Sequence, residues 1–285
     1  MTEEGKGPLQ LDLQAILRRR APGAMRFVPR WVVRRLERTI RQEELNGILR
    51  RTYPKRGSSF ARAALHDLGI SLEVRGLENI PEEGRFVFAS NHPLGGLDGI
   101  SLISVLGELY GDRNVYFLVN DLLMNVEPLT DVFLPINKYG SQGRKAAAAI
   151  NDAYAGEAQI LIFPAGLVSR LQGKEIKDLA WHKAFVAKAL QSGRDIIPLR
   201  FEGSNSLKFY RRARLRKRLG IRINLEQAML PAELVGARGS SYRVVFGRPV
   251  SAAMLRESHM PPQVIADRIK EWVYTPDLLT GTFKL

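Results

Sequence analysis

The residues best suited to chemistry form the run Asn91-His-Pro-Leu-Gly-Gly-Leu-Asp-Gly99, directly after the apolar stretch Arg85–Ser90. A histidine titrates near neutrality and can take a proton as general base. An aspartate set against one ring nitrogen fixes the tautomer and stabilises the imidazolium as it forms. His92 and Asp98 supply that pair, and Gly95 and Gly96 permit the tight turn that would bring them together. The chain has no cysteine, and no Gly-x-Ser-x-Gly elbow offers an activated serine. The base would then act on a hydroxyl of the substrate itself. Taken alone, a histidine six residues before an aspartate also fits an incidental turn, which is the commoner case.

Further candidates sit at the ends of other apolar runs. Ile160-Leu-Ile-Phe-Pro-Ala-Gly-Leu-Val-Ser-Arg170 reads as a buried strand entering a polar turn, where Gly166 can present a backbone N–H to an oxyanion. Ser169 and Arg170 close that turn, and Lys138 ends the run Pro135-Ile-Asn-Lys138. Ile197-Pro-Leu-Arg-Phe-Glu-Gly203 is another such strand end. Each has a plainer role available: Lys138 and Arg170 as surface cations, Ser169 as a turn cap.

These ends need elements to hold them. Strand-like runs are expected at Ser71–Val74, Phe86–Ser90, Val115–Val119, Ile160–Phe163, Ile196–Phe201, Arg222–Leu225 and Tyr242–Phe246. Helical patterns fall between them at Gly99–Leu109, Gln142–Tyr154, Lys177–Gln191 and Ser206–Arg218, and a last helix follows Pro261-Pro262. The alternation predicts an α/β fold: a mixed, largely parallel sheet flanked by helices. In such sheets ligands bind where strand C-termini enter helices. A helical N-terminal segment, about 1–69, is expected to precede one α/β domain, about 70–285.

In this order, the four strand ends resemble the motifs of the glycerolipid acyltransferase superfamily, the lysophosphatidate acyltransferase type, over about residues 70–205. Its first motif, Asn-His with an aspartate after four intervening residues, is similar to Asn91, His92 and Asp98. Its second ends Ile-Asp-Arg, similar to Ile136, Asn137 and Lys138. Its third, Phe-Pro-Glu-Gly-Thr-Arg-Ser, resembles Phe163 to Ser169, and its fourth, an apolar strand with a proline, resembles Ile196 to Leu199. The resemblance implies acyl transfer with His92 as base, Asp98 as its orienting partner and Gly166 as oxyanion donor. Asn91, Lys138, Ser169 and Arg170 would face substrate. It implies no metal or cofactor, only an acyl thioester of acyl carrier protein or coenzyme A as donor.

The departures carry information of their own. Five residues separate His92 from Asp98, one more than the motif has. Lys138 replaces an arginine, and Ala165, Leu167 and Val168 replace Glu, Thr and Arg. The altered groups are those that would grip a phosphate; lysine lacks the bidentate fork. The variants look like the bacterial branch that O-acylates ornithine or glycine lipids. The acceptor then expected is the hydroxyl of a monoacylated 3-hydroxyacyl amino-acid lipid, whose carboxylate needs fewer cations. A lysophosphatidate or other lysophospholipid acceptor is the alternative. A basic nucleic-acid- or membrane-binding module without catalysis stands behind both.

Charge narrows the partners. The net charge is +14, of which Ile16–Arg56 carries thirteen Lys/Arg against three Glu and Leu207–Arg222 carries eight cations and no acid. The first patch reads as one helix, Trp31–Arg51, with Val32, Val33, Leu36 and Ile40 in a stripe. With Trp31, Arg34, Arg35 and Arg38 it suits an anionic membrane surface, or a core-packed helix with solvated arginines. The second, with Arg211, Arg212, Arg214, Arg216, Lys217 and Arg218, would attract an acidic carrier protein or lipid headgroups. Nucleic acid is the least favoured partner. No run reaches the ~18 apolar residues of a spanning helix, and the N-terminus lacks a signal-peptide pattern. The expected location is peripheral, on the cytoplasmic face of a bacterial inner membrane.

Overall fold

The computed structural model describes residues 10–20, 23, 28–136, 140–220 and 225–285. Its centre is β2 (Phe86–Ser90), Phe-Val-Phe-Ala-Ser, buried at every position. A strand covered on both faces needs a continuous apolar run rather than alternation. It pairs in parallel with β5 (Gln159–Ile162) on one side and β8 (Asp195–Glu202) on the other. Beyond β5 lie β3 (Val115–Asn120) and β4 (Phe133–Ile136), also parallel. Beyond β8, β9 (Ser241–Phe246) runs antiparallel and carries β1 (Ser71–Arg75) at the edge. The order β1-β9-β8-β2-β5-β3-β4 is the mixed, largely parallel sheet expected.

One core forms between the sheet and α5 (Gly96–Tyr110) with α4 (Gly57–Asp67), where Phe60, Leu65, Phe88, Leu102 and Leu106 meet. The other lies under α6 (Gly140–Ala155), α7 (Ala184–Ser192) and α11 (Pro262–Val273), around Val87, Ile160, Phe185 and Ile269. The guanidinium of Arg194, fully buried just after α7, donates to the carbonyls of Ala153, Tyr154, Gly156 and Ala158. A cation there satisfies the open carbonyls at the C-terminal end of α6.

Several expectations change. Trp31–Arg51 is two helices, α2 (Arg30–Thr39) and α3 (Gln42–Thr52), because Arg41 adopts a left-handed φ of 55° between them. Val33 and Ile40 are buried and Val32 and Leu36 half-buried, so the stripe packs inward. Trp31, 66% exposed, lines one shallow cleft with Arg34, Arg35 and Arg38 on the outer face. Ile48 of α3 and Phe60, Ala64 and Leu65 of α4 belong to the same core as the sheet. The helix expected from Lys177 starts only at Ala184; before it a hairpin, β6 (Arg170–Gln172) with β7 (Glu175–Lys177), leads into an irregular stretch. Of the strand expected at Arg222–Leu225, residues 222–224 lie outside the described residues and Leu225 opens a short 3-10 helix.

Candidate active site

β2, β5 and β8 end together, which brings the run after β2 beside the turn after β5. Gly95, at φ 82°, makes the corner that starts α5. A β-carbon there would lie 3.0 Å from Leu230 and 3.3 Å from Val168, so both conformation and space call for glycine. Asp98 sits three residues into α5, and its carboxylate is fully buried. Oδ2 accepts the N–H groups of Leu94 (3.0 Å) and Gly95 (3.3 Å), and Oδ1 accepts that of Gly99 (2.8 Å). The longer spacing between His92 and Asp98 is thus taken up by a turn wrapped around the carboxylate.

The same Oδ2 lies 3.1 Å from His92 Nδ1. A carboxylate already accepting three N–H groups is an acceptor here, so Nδ1 carries the proton and Nε2 keeps its lone pair. The His92 side chain is 17% exposed and its ring stacks on Phe163 at 4.0 Å between centroids. Burial works against the charged imidazole, but the charge and hydrogen bond of Asp98, with the charge of Asp178, outweigh it and hold His92 above the ordinary histidine range. An imidazole so held can act as a general base.

Asp178 was not among the residues singled out from sequence. It is fully buried, and Oδ1 accepts Ser169 Oγ–H at 2.5 Å and the His92 main-chain N–H at 3.2 Å. Oδ2 accepts Trp181 Nε1–H at 2.8 Å, and the Asp178 N–H donates to Tyr274 Oη at 2.9 Å. Burial pushes the Asp178 carboxyl up, against the hydrogen bonds from Ser169 and Trp181. Ser169 N–H returns to the His92 carbonyl at 2.8 Å. Asp178 falls in the stretch expected as the helix Lys177–Gln191, where one acid beside Leu179, Ala180 and Trp181 was its available signal.

The structure gives several expected substrate contacts other partners. Asn91 is buried: its Nδ2 donates to the Phe201 carbonyl (3.0 Å) and its Oδ1 accepts the Phe201 N–H (2.6 Å). It extends the pairing of β2 with β8 beyond the strand. Ser169 is 1% exposed and holds Asp178. Gly166, at φ 64°, directs its N–H to the Phe163 carbonyl at 2.9 Å, so it closes the turn instead of offering a free oxyanion donor. Arg170 pairs with Glu226 at 3.0 Å, donates to the Val168 carbonyl and lies over the Phe209 ring. Lys138 lies outside the described residues.

Comparisons with known proteins show the family. A family model described as "Acyltransferase" matches residues 15–275. The chain belongs to the acyltransferase family. It is 41% identical over 264 residues to a lyso-glycine lipid O-acyltransferase of Phocaeicola vulgatus, covering 93% of this chain and 94% of that one. It is 40% identical over 264 residues to a lyso-glycine lipid O-acyltransferase of Bacteroides thetaiotaomicron, covering 93% and 96%. Among solved structures, a 1-acyl-sn-glycerophosphate acyltransferase from Thermotoga maritima aligns with a TM-score of 0.48 at 16% identity, over 87% of this chain and 88% of that one. This acyltransferase therefore carries its histidine–aspartate pair at the C-terminal edge of the sheet, on the turn between β2 and α5.

Proposed function

We propose that this acyltransferase moves a fatty acyl chain from an acyl thioester to the hydroxyl of a monoacylated 3-hydroxyacyl amino-acid lipid, with lyso-glycine lipid as the first candidate. The observation that carries the chemistry is His92 Nδ1 at 3.1 Å from the buried Asp98 carboxylate. Nε2 takes the hydroxyl proton as the acceptor oxygen attacks the thioester carbonyl carbon. The tetrahedral intermediate collapses with loss of the C–S bond, and the imidazolium returns its proton to the departing sulfur. Asp98 stabilises the imidazolium between the two transfers.

The acceptor assignment draws on the names of the two relatives and on Arg170. Arginine's planar fork is the favoured bidentate partner of a phosphate, and the arginine nearest the third motif is paired to Glu226. The donor is a thioester of acyl carrier protein or coenzyme A. Among the described residues no helix is long and apolar enough to cross a membrane. A peripheral position on the cytoplasmic face fits a lipid acceptor and a donor made inside the cell, with the Trp31, Arg34, Arg35 and Arg38 face against anionic headgroups.

The test offers purified protein each thioester with monoacyl-glycine lipid or lysophosphatidate. Diacylated glycine lipid is expected to dominate. Preference for the phosphate acceptor would reject the assignment, and transfer retained in His92→Ala would reject the mechanism.

A further inference from the structure

The basic helix after β8, α8 (Leu207–Arg218), has two different faces. Its inner face is built into the protein. Phe209 and Tyr210 are buried, and Arg216 joins Arg170 on the buried carboxylate of Glu226, at 2.8 Å. Its outer face holds the unexpected feature. Leu207 and Leu215, with Leu219 in the turn just past the helix, are 65%, 57% and 65% exposed, and the exposed side chains of Arg211, Arg214 and Arg218 stand among them. Leucines at positions 207, 215 and 219 are eight and four residues apart, which puts them along one side of the helix. From Leu207 to Gly220 there is no acidic residue.

The inner face also connects to the site. Tyr210 Oη accepts the Asn205 N–H at 3.0 Å, and Asn205 Nδ2 donates to the carbonyl of Pro93, the neighbour of His92, at 3.0 Å. The base of the helix is thus fixed one residue from the proposed base.

From these observations we infer that α8 is a membrane-contact helix that lays Leu207, Leu215 and Leu219 into the surface of an anionic bilayer beside the catalytic histidine. Exposed leucines lose water contact only if something apolar covers them. Arginines between them keep their stems along the apolar layer and their heads among phosphates. An acidic carrier protein would satisfy the arginines but would leave leucines spread along the helix against charged side chains. A bilayer satisfies both. The contact places the reacting histidine at the lipid surface, where an acceptor with one acyl chain already resides. That consequence rests on the proposed lipid acceptor; the contact itself does not.

Because the chain has no cysteine, one introduced thiol reports one position. Full-length Leu215→Cys, labelled with an environment-sensitive fluorophore, is mixed with vesicles of phosphatidylglycerol and phosphatidylcholine, with phosphatidylcholine alone, or with acyl carrier protein. Label at the exposed Glu257→Cys position in α10 (Ala252–Glu257) is the control. The expected result is a blue shift at residue 215 with anionic vesicles, quenched by lipid-borne quencher, and no change at 257. Replacing the three leucines by alanine is expected to weaken vesicle partition by at least about tenfold. Raising salt is expected to weaken it further, about fivefold for each cation lost from the surface. Turnover of a short-chain, water-dispersed acceptor should survive in that variant. A probe that stays aqueous on bound vesicles, or responds only to carrier protein, overturns the inference, as does unchanged partition of the triple variant. If no acceptor is acylated yet residue 215 enters the bilayer, the functional reading fails and the contact stands.

Discussion

Asp178 grips the main chain of His92: its Oδ1 accepts the His92 N–H at 3.2 Å while accepting Ser169 Oγ–H at 2.5 Å. His92 is therefore held from two directions. Asp98 fixes the ring and Asp178 fixes the backbone that carries it. Ser169 N–H to the His92 carbonyl closes the link between the turns after β2 and β5. The first and third resembling motifs are joined through an acid that neither contains.

Asp178→Asn should make that role measurable. An amide turns an N–H toward donors that need an acceptor, which costs about 1–3 kcal/mol at a buried site. The urea midpoint is expected to fall accordingly, with kcat reduced and KM little changed. Removing a negative charge also lowers the His92 pKa, so the acid limb of the rate profile should move to lower pH. Loss of stability with an unmoved pH profile would make Asp178 a packing residue only.

The pH dependence of the native enzyme follows from the direction of the His92 shift. A general base works unprotonated, and the groups around His92 hold it above 6.5. Here kcat/KM is expected to rise with pH through a value above 6.5 and then level off. Burial lowers this pKa; Asp98 and Asp178 raise it, and Arg170 lowers it. Asp98→Asn should therefore shift the rise toward acid while cutting the plateau, and His92→Ala should cost on the order of 10²–10⁴ in rate. A rise unmoved in Asp98→Asn would assign it to another group.

Much of this was legible in the sequence, and the remainder had physical reasons to be hidden. Buried parallel strands such as Phe86–Ser90 announce themselves as apolar runs, and Gly95 announces a turn. The His92–Asp98 pair needed only local spacing. Asp178 and Glu226 were missed because their partners, His92 and Ser169 for one and Arg170 and Arg216 for the other, are distant in sequence or lie across a hairpin. Asn91, Ser169 and Arg170 were expected to face substrate because their types suit ligands. Only packing shows that other partners already occupy them.

Asn91→Ala separates binding from architecture. It leaves the buried N–H and carbonyl of Phe201 without the side chain that satisfies both. A loss of about 1–3 kcal/mol in unfolding free energy is expected. Surviving protein should retain an almost unchanged acceptor KM. A raised KM at unchanged stability would return Asn91 to the substrate.

Glu226→Gln tests the pairing that takes Arg170 away from the acceptor. Glu226 is 2% exposed and its oxygens lie 3.0 Å from Arg170 and 2.8 Å from Arg216, so one carboxylate serves two partly buried cations. Removing its charge leaves both guanidiniums uncompensated beside Phe209. Breaking a buried pair in this way costs about 3–5 kcal/mol. Because both cations retain some exposure, a value near the lower end, about 3 kcal/mol, is expected. The loss should be local to α8 and the turn after β5, seen as faster amide exchange there before the central strands open. A freed Arg170 would also gain an anion-binding capacity that its pairing with Glu226 withholds. The variant should accept lysophosphatidate better relative to monoacyl-glycine lipid than the native chain does. If stability falls and the acceptor ratio stays fixed, Arg170 plays no part in excluding phosphate.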